Sequence, residues 1–144
     1  MRKWDQLPDE MRNQQVLYYY KELKKKRGAL VAKRCFDVIM SLLLLIVLFP
    51  FMVLIGITVK ATSPGEVIFR QVRVTTYGKR FRIYKFRTMV SGASGQGSQV
   101  TVSGDARVTG IGKFLRKVRL DELPQLLNII KGEMSFVGTR PEVE

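Results

Sequence analysis

The chain has 144 residues, enough for one domain or for one membrane segment with a modest water-facing part. Its 25 Lys and Arg residues against 12 Asp and Glu residues give a net charge of +13, which indicates a polyanionic partner: nucleic acid, an anionic lipid surface or a phosphorylated substrate. One cysteine and no histidine exclude an intrachain disulfide, a Ser–His triad and a histidine-based zinc site. Catalysis by this chain must therefore use carboxylates, Lys, Arg, Tyr or hydroxyl groups.

Residues 1–32 predict a basic N-terminal arm that contains a surface helix over residues 8–27. Pro8 suits a first helical turn, and Asp9 with Glu10 at one end and basic residues at the other complement the helix dipole. An amphipathic basic helix beside a membrane segment is expected to lie in the membrane interface. A disordered basic arm is the alternative. The apolar positions recur at helical spacing: Val16, Leu17, Tyr20 and Leu23.

Residues 33–60 predict a membrane-inserted helix, because Val38 to Val59 contains no charged residue and is long enough for a hydrocarbon core. Both flanks are rich in Lys and Arg, so a straight crossing would break the positive-inside rule at one end. Pro50 would bend the helix, which allows it to re-enter the same leaflet with both flanks in the cytoplasm. A kinked spanning helix is the alternative.

Residues 61–144 are predicted to form a cytoplasmic catalytic part. Together with the membrane helix, this part makes the predicted fold α+β and membrane-associated. After a turn at residues 63–65, short strands at 67–69 and 81–84 flank Tyr77-Gly78 in a β-hairpin. Residues 91–104 form a Gly/Ser-rich loop, which is not a P-loop because no Gly-Lys-Ser/Thr follows. Two helical stretches complete the pattern: a basic one over 112–118, and an apolar stripe of Leu123, Leu126, Leu127 and Ile130 that ends near Gly132.

Asp121 and Glu122 are the first candidate site residues, since they precede the apolar stripe and follow three nearby cations. An ionised carboxylate beside cations can attack a phosphate whose charge the cations neutralise. From spacing alone, a structural N-cap aspartate with a first-turn glutamate is the commoner explanation. A second group is Lys85-Phe86-Arg87-Thr88, whose two cations could hold a diphosphate, although a solvated strand end is the commoner explanation. A third group, Gly138-Thr139-Arg140-Pro141, is by composition a turn and nothing more.

Seven features in order carry a specific resemblance. They are KRCFDV, a hydrophobic stretch broken by proline, TSPGEVIFRQ, YKFRTM, DARVTGIGKFLRK, LDELPQL and KGEMSFVGTRP. The series resembles the bacterial sugar transferase family, the monotopic polyprenyl-phosphate phosphoglycosyl transferases that initiate exopolysaccharide, capsule or glycan assembly. The resemblance runs from about Lys33 to Glu142.

The resemblance implies a two-step reaction at the bacterial inner (cytoplasmic) membrane, on its cytoplasmic face. Asp121 would attack the β-phosphate of a UDP-sugar and release UMP, and undecaprenyl phosphate would then take the phosphosugar from it. Glu122 would act with Asp121 and help hold Mg²⁺. The resemblance also places Lys85, Arg116 and Arg140 near the active site as substrate-binding residues, and Pro50 and a paired Arg34 and Asp37 in a re-entrant membrane helix. Arg87 and Pro141, from the two groups described above, complete the expected substrate-binding set.

The chain departs from the family pattern at Thr75, Arg119 and Thr139, which replace glycine, a small hydroxyl residue and proline. Family members continue well beyond the position of Glu144, so a C-terminally truncated member is expected. Two other classes remain as alternatives: a non-catalytic basic membrane adaptor and a membrane-anchored nucleic-acid-binding protein. The second is disfavoured, because no recognition-helix pattern is present and no nucleic-acid partner is expected. An oligomer is left open.

Overall fold

The computed structural model describes residues 3–75, 78–92, 105–138 and 141–143. Within these ranges the fold is α+β, as the sequence predicts, with one long apolar helix and an antiparallel hairpin. The helices are α1 (Gln14–Lys25), α2 (Arg27–Thr62), α3 (Gly110–Lys117) and α4 (Leu126–Lys131), and the strands are β1 (Ile68–Thr75), β2 (Lys79–Phe86) and β3 (Glu142–Val143). Short 3-10 helices cover Trp4–Gln6, Asp9–Met11 and Leu120–Gln125.

Helix α1 begins six residues later than predicted. The side chain of Asn13 accepts a hydrogen bond from the backbone N–H of Val16 at 2.9 Å and so caps the helix at that point. The prediction placed Asp9 and Glu10 in the first turn of this helix, but they belong to a separate 3-10 turn. Trp4 folds back onto the ring of Tyr20, with ring centroids 5.3 Å apart in an edge-on arrangement.

Helix α2 includes the predicted membrane segment and contains Pro50. It follows α1 almost directly, beginning at Arg27 rather than at residue 33. By length and composition it could cross a membrane, with a mean hydropathy of 3.1 in its most apolar window. Only 6% of that window is buried, which distinguishes α2 from the central helix of a soluble protein. Its outward-facing side chains are large and apolar, among them Ile46, Val47, Phe49, Phe51, Leu54 and Ile57.

The hairpin pairs β1 with β2 from Ile68–Phe86 to Thr75–Lys79, so both strands are several residues longer than predicted. Part of its turn, residues 76 and 77, lies outside the described residues. Strand β3 pairs with β1, which gives the order β2-β1-β3 and leaves β2 at an edge. In β2 the buried Phe81 and Ile83 alternate with exposed arginines, as expected for a strand with one covered face.

Asn128 joins this edge strand to α4. Its side chain is fully buried; its Oδ1 accepts from the backbone N–H of Tyr84 at 3.0 Å, and its Nδ2 donates to the carbonyl of Arg82 at 2.8 Å. A third bond runs from Nδ2 to Glu133 at 2.7 Å. The amide thus pairs with backbone groups of an edge that would otherwise need water or another strand. The core around this join consists of Phe81, Ile83, Phe86, Leu115, Leu126 and Ile129.

The N-terminal part of α2 packs on the end of α4. Arg34 donates to the backbone carbonyls of Ile129 and Ile130, and the buried Asp37 pairs with Lys33 at 3.3 Å. The expected pairing of Arg34 with Asp37 is therefore wrong. Lys33 lies one full turn before Asp37, the spacing at which helical side chains meet. The Arg34 guanidinium instead donates to carbonyls at the end of α4, where the Ile129 carbonyl also accepts from the N–H of Gly132.

The C-terminal part of α2 packs on the hairpin. Val59 is buried, and a Cβ at Gly56 would lie 3.5 Å from Val67 Cγ1 and 4.0 Å from the Phe86 ring. Lys60 donates to the carbonyl of Gly65 at 3.1 Å across the turn that follows α2. Both ends of the apolar helix therefore contact the same small body of hairpin and short helices.

Candidate active site

Asp121 lies in the 3-10 helix between α3 and α4, where the chain turns sharply. The residue before the helix, Arg119, has φ 61° and ψ 17°, a left-handed conformation that costs a non-glycine residue about 1 kcal/mol. Arg119 is the N-cap, and no side chain caps the helix. Asp121 is therefore not a capping residue, which removes the structural explanation that spacing alone favoured.

The carboxylate of Asp121 is buried and incompletely bonded. The residue is 7% exposed, and its Oδ1 has no hydrogen-bond partner among the residues that the structure describes. Burial raises the pKa of Asp121 most, and the negative charge of Glu122 raises it further. The positive charges of Lys85 and Arg116 lower it, but the pKa remains above its ordinary value. A desolvated carboxylate oxygen without a donor, near two cations, is available to react with an electrophile that carries negative charge.

Glu122 joins the 3-10 helix to the end of strand β2. Its Oε1 accepts from Lys85 Nζ at 3.0 Å, and Arg119 lies 3.5 Å from the same oxygen. The Lys85 and Glu122 side chains are each less than one third exposed, whereas that of Arg119 is 70% exposed. The structure therefore brings together two motifs that lie almost forty residues apart, with the Lys85 ammonium bonded to Glu122 and near enough to Asp121 to affect its pKa.

Arg116 approaches the same region from α3. Its Nε donates to Thr88 Oγ1 at 2.8 Å, and the backbone N–H of Thr109 donates to the Thr88 carbonyl at 3.0 Å. Thr109 caps α3 by accepting from the N–H of Gly112. A Cβ at Gly112 would lie 2.1 Å from the Thr88 carbonyl oxygen, so only glycine permits this close approach. These contacts hold Arg116, one turn further along, against the end of the strand.

Arg87 is buried in a different environment from Lys85. Its guanidinium donates to the carbonyl of Ser63, just after α2, and its Nε has no partner within the described part of the chain. Arg87 thus ties the strand end to the turn that follows the apolar helix.

The remaining predicted site residues lie apart from this cluster or outside the described residues. Arg140 and Thr139 are outside them, and Pro141 is half-buried just before β3. Pro50 lies in the middle of α2, and Arg34 and Asp37 contact residues 129–136. Thr75, a departure from the family pattern, donates to the Glu133 carbonyl at 3.0 Å.

The sequence reasoning assigned no role to Thr109 or Asn128, and it named Thr88 only as the last residue of a basic group. The capping role of Thr109 could have been predicted, because a threonine just before a helical stretch is a capping signal. Thr88 and Asn128 gave no local signal, since their partners are distant in sequence. Their roles follow only from the packing of α3 and α4 on β2.

The sequence resemblance leads us to expect a magnesium ion, which these residues could hold only together with ligands from the substrate. The residues that the structure describes contain no group of three or more Asp, Glu, Cys or His side chains that could hold a metal. Mg²⁺ is commonly bound by one or two carboxylates together with substrate phosphates. Asp121, whose buried Oδ1 has no partner among the described residues, and Glu122 match that pattern once a phosphorylated substrate supplies the other ligands.

Comparison with known proteins gives consistent matches. A sequence model described as "Bacterial sugar transferase" matches residues 28–144. The chain is 44% identical over 110 residues to UDP-N-acetylgalactosamine-undecaprenyl-phosphate N-acetylgalactosaminephosphotransferase of Aeromonas hydrophila, and 46% identical over 112 residues to UDP-glucose:undecaprenyl-phosphate glucose-1-phosphate transferase of Klebsiella pneumoniae. It is also 46% identical over 112 residues to Exopolysaccharide production protein PSS of Rhizobium leguminosarum bv. phaseoli.

The aligned regions include most of this chain but a smaller share of each relative's length. They include 76%, 78% and 77% of the chain, against 26%, 24% and 56% of the three relatives in the same order. The chain thus spans about a quarter of the first two proteins and about half of the third.

Proposed function

Because the chain belongs to the bacterial sugar transferase family, we propose that it transfers a phosphosugar from a UDP-sugar to a polyprenyl phosphate, with release of UMP. The relatives named above act, by their names, with UDP-sugars and undecaprenyl phosphate. One observation supports this reaction most directly: Asp121 is a buried carboxylate with an unbonded oxygen, close to Lys85 and Arg116. We assign the chain to the first membrane step of exopolysaccharide, capsule or glycan synthesis.

In the first half-reaction, an oxygen of the Asp121 carboxylate attacks the β-phosphorus of the UDP-sugar. A bond forms between the carboxylate and phosphorus, and the bond from phosphorus to the oxygen that bridges to the α-phosphate breaks. UMP leaves with that electron pair, and an aspartyl phosphosugar remains. Lys85 and Arg116 offset the negative charge that the two anions bring together, a role that buried cations perform well because the surroundings reorganise little.

In the second half-reaction, a phosphate oxygen of the lipid attacks the same phosphorus. The bond to Asp121 breaks, which restores the carboxylate and yields a polyprenyl diphosphosugar.

The environment of Asp121 suits its role as nucleophile in the first half-reaction. Burial raises the pKa of Asp121, which makes this carboxylate a better nucleophile than an ordinary solvated one, while the charge of Lys85 favours its ionised form.

Glu122 and Asp121 are the residues that would hold Mg²⁺ together with the diphosphate. When bound, the ion supplies charge neutralisation on the phosphate oxygens. Lys85 keeps its hydrogen bond to Glu122 and thereby fixes the orientation of that carboxylate.

We propose that α2 is re-entrant and that both its ends lie on the cytoplasmic face of the bacterial inner membrane. Asp37, near one end, and Val59, near the other, are both buried against the same basic, polar body. A spanning helix would place these positions on opposite sides of about 30 Å of hydrocarbon. Contact of both ends with one water-facing body therefore favours a helix that enters and leaves through one leaflet, with its exposed apolar middle in lipid.

The test is intact-mass spectrometry of the protein in nanodiscs with Mg²⁺ and a panel of UDP-sugars, without acceptor lipid. We expect a mass increase of one phosphosugar with the correct donor, together with one equivalent of UMP. The increase should be absent in Asp121→Asn and should disappear when polyprenyl phosphate is added. No increase with any donor, in a protein shown to be folded, would contradict the proposed reaction.

A further inference from the structure

Helix α1 has no role in the proposed reaction. It lies before residue 28, where the match to the bacterial sugar transferase model begins. None of its 12 residues is buried against the rest of the described chain. A helix of this length is only marginally stable by itself in water, and helices in proteins gain most of their stability from an apolar face packed on another surface. We therefore expect a further surface that covers α1.

The exposed side of α1 is apolar and aromatic. Tyr18 and Tyr19 are 65% and 66% exposed, with ring centroids 5.6 Å apart, and Leu23, one turn after Tyr19, is 46% exposed. Tyr20 differs from them, because the Trp4 ring packs edge-on against it and Tyr20 is half-buried. Tyrosine is enriched at the boundary between lipid and water, where its ring lies among the headgroups and its hydroxyl group reaches water. This side of α1 therefore has the composition of a membrane interface.

A basic cluster follows at the end of α1. It consists of five exposed cations: Lys21, Lys24, Lys25, Lys26 and Arg27. The acidic residue in the same stretch, Glu22, accepts a hydrogen bond from Lys25 Nζ at 2.7 Å, so four of the five cations exceed what this carboxylate can neutralise. Lys26 separates α1 from α2 and has φ −90° and ψ 21°, which departs from helical values and allows the backbone to change direction there. The cluster therefore attracts anions at the start of the apolar helix.

We propose that α1 and the basic cluster dock on anionic phospholipid headgroups of the bilayer that holds α2, with Tyr18, Tyr19 and Leu23 at the level of these headgroups. Continuity with the membrane helix selects this partner over an acidic protein or a nucleic acid. The exposed apolar surface of α2 begins at Leu30 and Val31, within one helical turn of the cluster. Basic clusters next to a membrane helix are attracted by anionic lipids. The inference is independent of the transferase reaction, because it requires only that α2 lies in the bilayer.

The experiment uses Trp4, the single tryptophan of the chain, which contacts Tyr20 and so reports the position of α1 without an added label. Its fluorescence is measured for the full chain in nanodiscs that contain phosphatidylcholine with brominated acyl chains as the quencher. The remaining lipid is unbrominated, either phosphatidylcholine or phosphatidylglycerol. Because the quencher content is the same in both, a difference in quenching reports how closely α1 approaches the bilayer.

We expect quenching of Trp4 to be at least about threefold greater with phosphatidylglycerol than with phosphatidylcholine alone, because the cluster is attracted by the anionic headgroups. This gain should disappear between about 0.1 M and about 1 M salt, as the Debye length falls from about 10 Å to about 3 Å.

Charge variants provide the matched comparison. Lys24→Gln/Lys26→Gln removes two cations of the cluster and should reduce the gain in quenching at least about threefold. Lys79→Gln/Arg82→Gln removes the same charge from exposed positions of β2 and should leave the gain unchanged.

Aromatic variants test the contact of the helix with the headgroup region. Tyr18→Ser/Tyr19→Ser should reduce quenching in the phosphatidylglycerol discs at least about twofold, because the rings that enter the interface are lost. Tyr18→Phe/Tyr19→Phe keeps both rings and should be quenched like the wild type.

Equal quenching in the two lipid compositions, or a gain that survives Lys24→Gln/Lys26→Gln, would overturn the inference. Absence of quenching in every disc would place α1 in water, as an acidic soluble partner requires, and would overturn it as well.

Discussion

At the scale of single residues, Asp121 combines a functional advantage with a cost in stability. Its folded pKa is raised, first by burial, above the value in the unfolded chain. The fold therefore disfavours the ionised form of Asp121. This costs no stability at a pH below about 3.9, the pKa of the carboxyl group in the unfolded chain, and the cost reaches its full size above the pKa in the folded protein. At neutral pH the carboxylate destabilises the protein that it makes reactive.

We predict that Asp121→Asn unfolds at a higher temperature than the wild type at pH 7, although its rate of adduct formation falls by at least about 10³-fold. The amide has no charge to desolvate and nearly the same shape. Thermal unfolding in nanodiscs at pH 7 and pH 4 should show that the difference between the two proteins shrinks as the pH falls. A variant less stable than the wild type at both pH values would contradict the argument.

Lys85 should set the pH below which the site loses activity. Its charge is the largest of the effects that lower the pKa of Asp121, so Lys85→Gln should raise that pKa further. We expect adduct formation to slow by about 10²-fold and the acid limb of its pH–rate profile to move to higher pH. Lys85→Arg, which keeps the charge, is the control and should leave the limb near its original position. An unmoved limb in Lys85→Gln would show that the two groups are not coupled.

At the scale of elements, α3 offers two glycines that differ only in their surroundings. A methyl group at Gly112 would meet the backbone of Thr88, which cannot move aside cheaply, whereas nothing lies within 4 Å of one at Gly110. We predict that Gly112→Ala costs about 1–3 kcal/mol of unfolding free energy and slows adduct formation, because α3 and Arg116 must shift. Gly110→Ala should be neutral in both measurements. Equal behaviour of the two variants would contradict the close approach of α3 to the strand end.

The join between α2 and α4 should also be measurable. Arg34→Met would remove the donor of the Ile130 carbonyl and one of the two donors of the Ile129 carbonyl, and we expect a loss of about 1–3 kcal/mol in unfolding free energy. Arg27→Met removes the same charge from the exposed start of the same helix and should cost less than about 0.5 kcal/mol. Calorimetry of both variants in nanodiscs compares them directly, and similar losses would show that the Arg34 bonds are not important for stability.

The elements that the sequence predicted are those with local signals. The apolar run of α2, the alternating hairpin and the glycine after α4 depend on neighbouring residues, and all three are present. The start of α1 was wrong because capping by Asn13 outcompeted the acidic first turn proposed at Asp9. The pairing of Arg34 with Asp37 was wrong because it depends on α4, almost a hundred residues away. For the site, the motifs around Lys85 and Asp121 were identified, but their contact, and the part played by Thr88, required the tertiary packing.

At the scale of the whole molecule, the two ends of α2 should be accessible from the same side of the membrane. Cys35 is the native cysteine and is exposed, and Ala61, also exposed, can carry a single cysteine in a Cys35→Ser background. We predict that a membrane-impermeant maleimide labels both single-cysteine proteins in inverted vesicles and neither in intact spheroplasts. Opposite labelling of the two positions would establish a spanning helix and refute re-entry.

The bond from Arg34 to the end of α4 also has a consequence for biosynthesis. The two partners are separated by 95 residues, so the arginine leaves the ribosome long before the helix end that it completes. If α2 enters the bilayer as proposed, the later segments assemble on a helix that is already in place. We therefore expect that removing the first sixty residues would not yield a stable soluble protein. It would take away one wall of the interior and remove the Arg34 guanidinium from the Ile129 and Ile130 carbonyls at the end of α4.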